Sequence, residues 1–234
     1  MKKTMVTFSF VMLIMFGAFS VQAATIGLFD WGFNLDGTSY CSVGPCDNVT
    51  TPGGLPGSIN VSTFDFGTGI GTLGISVIGA GNHSVVGFFD HEIDEALNSF
   101  FNETGAVSGI AAAGQFWEID EPGFLFGDIY DNFLANTLDN SIGTAFPDDV
   151  SMAMAGTFAL AAGDEALLSF ILSETMPSAG FYLTHTDPDS QASIYFSGDL
   201  TIDRGTPSIP EPGTLLMLGT GLIGLYGLRR KISV

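Results

Sequence analysis

The chain has 234 residues, with 25 Asp plus Glu against 6 Lys plus Arg, a formal net charge of −19, 13% charged residues and a mean hydropathy of +0.38. Lys2, Lys3, Arg229, Arg230 and Lys231 sit at the two ends, so residues 24–210 set Arg204 alone against 24 acids. A surface of that sign repels phosphate backbones and anionic headgroups. It excludes an ordinary nucleic-acid binder and leaves neutral sugars, or anionic polymers bridged by divalent cations, as polymeric partners.

Met1-Lys2-Lys3, an apolar run over residues 5–19 and Ser20-Val21-Gln22-Ala23-Ala24 follow one another at the start. Two lysines, an apolar stretch and small side chains at Val21 and Ala23 read as a secretory signal peptide over residues 1–23, with signal peptidase cutting between Ala23 and Ala24. The alternative is a retained N-terminal anchor. Residues 24–204 are then one exported, acidic, β-rich domain.

Strands are expected at residues 64–66, 74–78 and 85–89 of its Gly-rich N-terminal half. Cys41 and Cys46 enclose Ser42-Val43-Gly44-Pro45. In an exported chain the pair predicts one disulfide, whereas a structural zinc would need four ligands and no second cysteine pair exists. Short helices are expected over residues 92–101 and 129–138, the second with Asp128 as its N-cap.

Further on, Val150, Met152, Met154, Phe158 and Leu160 alternate with small or polar residues, Gly163-Asp164 offers a turn, and residues 166–172 form an apolar run. That pattern predicts a hairpin. A second is expected from residues 181–184 and 194–196 around Asp187-Pro188-Asp189-Ser190, with residues 200–202 as a last strand. The expected fold is mainly β: a single β-sandwich or jelly-roll-like domain with one or two short helices, an N-terminal signal peptide and a C-terminal transmembrane helix.

Residues 205–209 form a stalk, followed by Pro210-Glu211-Pro212-Gly213, an apolar run and Arg229-Arg230-Lys231. A helix over residues 213–228 reaches about 24 Å at ~1.5 Å per residue, a marginal span of a ~30 Å hydrocarbon core, and the basic cluster keeps its far end cytoplasmic. This three-part tail closely resembles the PEP-CTERM sorting signal of Gram-negative bacteria. The resemblance implies that Pro210, Glu211 and Pro212 are recognised by exosortase, a membrane protease-transferase. The helix and the basic stop cluster would hold the chain in the inner membrane until the tail is removed. The protein would then pass to the cell surface or extracellular matrix, where members of that group accompany exopolysaccharide production and biofilm formation. An ordinary anchor with a Pro-rich stalk is the alternative. Residues 89–202 also look like a body type recurring among such proteins, which implies no mechanism.

Four patterns bear on chemistry. Gly69-Ile70-Gly71-Thr72-Leu73-Gly74 matches GxGxxG but lies in a strand-like stretch, not at a strand-to-helix junction. His91-Glu92-Ile93-Asp94-Glu95 begins like the zincin helix motif and lacks its second histidine. Glu118 and Asp120 share a strand face beside Trp117, an arrangement in which a sugar stacks on the indole while two carboxylates work a glycosidic bond. The acids Asp128 and Asp131 with Asn132, then Asp139, Asp148 and Asp149, then Asp187 and Asp189, are candidate calcium ligands, since hard oxygen donors on loops almost free of Lys and Arg suit that ion. No EF-hand loop is formed. The expectation is a noncatalytic surface or matrix component associated with exopolysaccharide, with calcium as its one candidate cofactor. A secreted carbohydrate-active enzyme using paired carboxylates is the alternative.

Overall fold

A computed structural model describes residues 24–95, 99–123, 126–143, 149–205, 213 and 217–223. Among these, twelve strands form two six-stranded sheets. In chain order they are β1 (Ile26–Leu35), β2 (Thr38–Cys41), β3 (Asn48–Val49), β4 (Ile59–Asp65), β5 (Ile70–Ile78), β6 (Gly81–Ile93), β7 (Thr104–Ser108), β8 (Gln115–Asp120), β9 (Ser151–Leu160), β10 (Glu165–Ser173), β11 (Tyr182–Thr186) and β12 (Ser193–Asp203), with helix α1 (Ile129–Ala135) between β8 and β9. The first sheet runs β3-β2-β1-β6-β9-β8 and the second β4-β5-β10-β12-β11-β7.

The sheets face each other across a core of Trp31, Phe33, Leu73, Ile75, Phe89, Ile119, Met152, Leu168, Phe170, Leu183 and Phe196. Aromatic edges fill it: Phe89 meets Phe196 at 5.2 Å with rings at 90°, and Phe196 meets Phe170 at 5.5 Å. The two-sheet, mainly β architecture fits the sandwich expected from the regular spacing of short strands.

The first sheet also has a buried outer face. Helix α1 lies on it, and Ile129, Tyr130 and Phe133 pack against Val86, Phe88, Ala153 and Ala155. Strands β1, β6 and β9 are therefore buried on both faces and carry apolar runs in place of alternation. Gly32 makes room for the helix, because a Cβ there would stand 2.5 Å from Phe133 Cζ. The helix ends at Asn136, whose φ of 59° takes the left-handed C-cap conformation and whose N–H bonds back to Asn132 and Phe133.

Several expectations need correction. The turn at Gly163-Asp164 does not make a hairpin: β9 pairs with β6 and β8, while β10 pairs with β5 and β12. The chain instead crosses from one sheet to the other there, because both strands are rich in apolar residues and each needs its own sheet to cover it. The helix expected over residues 92–101 is absent at its start, where Glu92 and Ile93 finish β6; residues 96–98 lie outside the described residues, and Phe100–Asn102 form a 3-10 turn. Residues 200–202 continue β12 and are not a separate strand. The second hairpin stands as β11 against β12.

At the exit of β12, Asp164 accepts from Arg204 at 2.6 Å, from the Gly205 N–H at 3.2 Å and from the Ala161 N–H at 3.0 Å. These N–H donors and the guanidinium hold its carboxyl below the usual range. Residues 217–223 are helical, and among the described residues no helix is long and apolar enough to cross a membrane. The signal peptide over residues 1–23, residues 206–209 of the stalk, Pro210, Glu211, Pro212, Arg229, Arg230 and Lys231 lie outside the described residues, as does half of the 213–228 segment. Ala24 is the first residue described.

Candidate functional site

The side chains of β8 from Trp117 to Asp120 alternate between the two faces of the first sheet. Trp117 and Ile119 face the inter-sheet core, and Glu118 and Asp120 face outward under α1. The expected neighbourhood of Trp117 with the two acids therefore fails on the period of the strand: the indole meets Phe181 at 6.1 Å on the opposite side. Glu118 is 1% exposed, accepting from Asn132 Nδ2 at 3.0 Å and from the Asp139 N–H at 3.2 Å. Asp120 accepts from the Asp128 N–H at 3.0 Å. Glycine is required opposite it, because a Cβ at Gly143 would lie 2.3 Å from its carboxyl group.

One carboxylate oxygen from each of Glu118, Asp120 and Asp128 falls within 4.8 Å of the other two. Asp128 occupies the N-cap position of α1, but its side chain does not cap the helix. Burial pushes the Glu118 carboxyl up to about 7, with Asn132 opposing and the charges of Asp139 and Asp128 adding to it. Burial also raises Asp120 against the N–H groups of Asp128 and Glu121. Three converging carboxylates form a donor set that could hold a metal ion.

The same face continues inward as a polar rung. Asp30 pairs with Asp90 across β1 and β6, Asp90 with Ser151 across β6 and β9, and Ser151 with Asp120 across β9 and β8. All four are buried. Asp30 accepts from the Trp31 N–H at 2.7 Å and from the Ser42 hydroxyl, and Ser151 donates to Asp90 at 3.1 Å. Burial raises both aspartates, Asp90 well above its usual value, with Asp149, Glu92 and Asp30 adding charge around it.

A second buried group lies at inward-facing His185 of β11. Its Nε2 stands 2.6 Å from Glu103 Oε2, and both residues are at most 1% exposed. Burial pushes Glu103 up to about 8 and His185 down to about 4. Both shifts favour the neutral pair, in which the Glu103 carboxyl O–H donates to the imidazole. Glu92, half-buried, is raised to about 7 by burial and by Asp149, Glu103 and Glu95. His91 falls to about 3 by burial and the nearby His185, and its Nε2 meets the Gly69 carbonyl at 3.2 Å.

The other sequence candidates land apart. Asp131 is exposed on α1 and outside the three-carboxylate group. Asp187 is buried and accepts from the Asp189 N–H at 3.0 Å and the Ser190 N–H at 2.9 Å, so it builds the β11–β12 turn, while Asp189 accepts from Asn102 at 2.8 Å. Asp148 lies outside the described residues. Cys41 and Cys46 have their sulfurs 2.06 Å apart, at disulfide distance. Gly69 to Gly74 fall in the β4–β5 turn and β5, with no helix following. His91 and Glu92 lie on opposite faces of a strand, which separates the elements of a zincin motif. Asp30, Asp90 and Glu103 escaped the sequence reading. The signal was an acid inside an apolar run, as in Val85-Val86-Gly87-Phe88-Phe89-Asp90.

Residues 208–231 match the family model of the PEP-CTERM protein-sorting motif. No curated protein and no solved structure matches the chain. The chain thus carries a PEP-CTERM sorting motif, which implies export, membrane-associated processing and an exosortase partner.

Proposed function

We propose that this protein is a noncatalytic component of the cell surface or extracellular matrix of a Gram-negative bacterium, delivered through its C-terminal sorting motif and associated with exopolysaccharide. The observation that carries the reading is the motif at residues 208–231 behind an acidic sandwich. Intact mass of the mature protein from its native host tests the delivery. Loss of the residues beyond the Pro-Glu-Pro motif is expected, with the tail retained when exosortase is deleted; a mature protein that keeps residues 214–234 in the presence of exosortase sinks it.

Burial and internal bonding of Glu118 and Asp120, with Trp117 turned to the other face, support a noncatalytic role over glycoside hydrolysis, which needs both carboxyl groups against a sugar ring. The three carboxylates of Glu118, Asp120 and Asp128 support calcium as the cation held. Calcium would neutralise charge that no lysine or arginine among the described residues meets there and would tie α1 to β8. Heating the full-length chain in detergent with millimolar Ca²⁺ and then with excess chelator tests this. A ligand at about 100 times its Kd adds about 2.7 kcal/mol, or roughly 5–10 °C in Tm for a domain of this size. Asp120→Asn is expected to abolish the rise, and an identical Tm in both conditions for the parent chain removes calcium from the proposal.

A further inference from the structure

We infer that the outer face of the second sheet binds an uncharged polysaccharide chain, with Tyr182 and Tyr195 as its stacking platforms. The inference rests on the matrix reading above and gives it a surface. The strand register sets Thr63, Thr72, Ile171, Ser197, Tyr182 and Ser108 side by side in one unbroken rung across β4, β5, β10, β12, β11 and β7. The adjacent rung holds Ser173, Tyr195, Thr184 and Ala106. All ten residues are exposed or half-exposed, and none is charged. In the described structure α1 packs on the first sheet and leaves these residues to solvent.

On a chain of net charge −19, a rung free of acids across six strands, roughly 24 Å at ~4.8 Å per strand, is where a neutral polymer meets least desolvation of charge. Anionic chains are repelled by the acids at its margin, Asp65, Asp199 and Glu165. Serine and threonine hydroxyls both donate and accept, as sugar hydroxyls require. The Tyr182 and Tyr195 rings stand 5.8 Å apart at 75°. A tyrosine ring presents an apolar body for the C–H face of a sugar together with a phenolic group that stays hydrated. Charge complementarity therefore selects an uncharged glycan over an anionic one, and a rung that runs across all six strands selects an extended chain over a small ligand.

Retention of the full-length chain, in detergent, on particles of cellulose and of curdlan, with calcium alginate as the anionic comparison, tests the inference. The parent chain is expected to bind at least one neutral glucan. Tyr182→Ala and Tyr195→Ala should each weaken that binding about tenfold. Ser197→Asp, which keeps both rings and adds one charge mid-face, should weaken it by a similar factor while the Tm holds. Binding of neutral glucan unchanged in all three variants overturns the face and leaves polysaccharide association standing. Binding to calcium alginate alone also overturns the face and transfers association to cation bridging. Binding to none of the three polymers by a chain whose tail is processed normally overturns the face and the polysaccharide reading together, with sorting untouched.

Discussion

Glu103→Gln is expected to stabilise the protein near pH 9 and to leave it within about 1 kcal/mol of the parent near pH 5. Glu103 is held protonated to about pH 8 because burial in the sandwich removes water from its carboxyl, and Asp187 nearby adds negative charge. In the unfolded chain the same group ionises near its ordinary value of 4.5. Between those two pH values the folded state holds a proton that the unfolded state has released, so stability falls as pH rises through the window and levels off above pH 8. The cost at alkaline pH is on the order of 3–5 kcal/mol. Glutamine keeps the shape, donates to His185 Nε2 through its amide and has no proton to lose, so it avoids the loss.

Glu92, raised to about 7 and facing Asp149, Glu103 and Glu95, contributes in the same direction. His185 and His91 contribute in the opposite one. Their folded values of about 4 and about 3 lie below the ordinary 6.5, so the stability they confer is complete above pH 6.5 and is lost as pH falls toward those values. Urea denaturation of parent and variant across pH 4–9 separates the two possible states of the pair. If Glu103 and His185 formed a buried ion pair, glutamine would leave one charge unpaired and destabilise at neutral pH by about 3–5 kcal/mol. A loss of that size at pH 7 refutes the neutral pair.

The second large effect is expected at Phe133. Its side chain is fully buried between α1 and the first sheet, 5.7 Å from the Phe88 ring and 5.5 Å from Tyr130, and it covers Gly32. A seven-residue helix has no independent stability, so this packing holds it. Phe133→Ala removes a full aromatic ring from a site the two-sided strands cannot collapse to fill, at a cost of about 3–5 kcal/mol. Gly32→Ala presses a methyl into the same ring and costs about 1–3 kcal/mol. Because the two changes meet in one space, the double variant should be more stable than the sum of the single effects allows. Additive losses would show that the ring and Gly32 do not share that contact. With α1 loosened, Asn132 and Asp128 leave Glu118 and Asp120, so any calcium-dependent rise in Tm should also disappear in Phe133→Ala.

Some of this was legible in the residues alone because it depends on neighbours along the chain. The Pro-Glu-Pro tail, the basic terminus and the pairing of Cys41 with Cys46 are local patterns of that kind. The β11–β12 hairpin, too, is announced by Asp187 and Pro188, whose turn closes within a few residues. The partners of β9 and β10 were not legible, since an apolar strand pairs equally well with any strand of matching pattern and the connecting turn serves a hairpin or a sheet crossing alike. Strand β1 was missed because its outer face is covered by α1 and its inner face by the second sheet, which erases alternation. The acids mark the boundary most clearly. Composition alone determined that most of them have no Lys or Arg of their own, with 25 acids against 6 such residues. Only the tertiary structure decided that Asp30, Asp90, Glu103 and Glu118 are buried while Asp131 stays in water, because burial is set by what packs over a residue from distant parts of the chain.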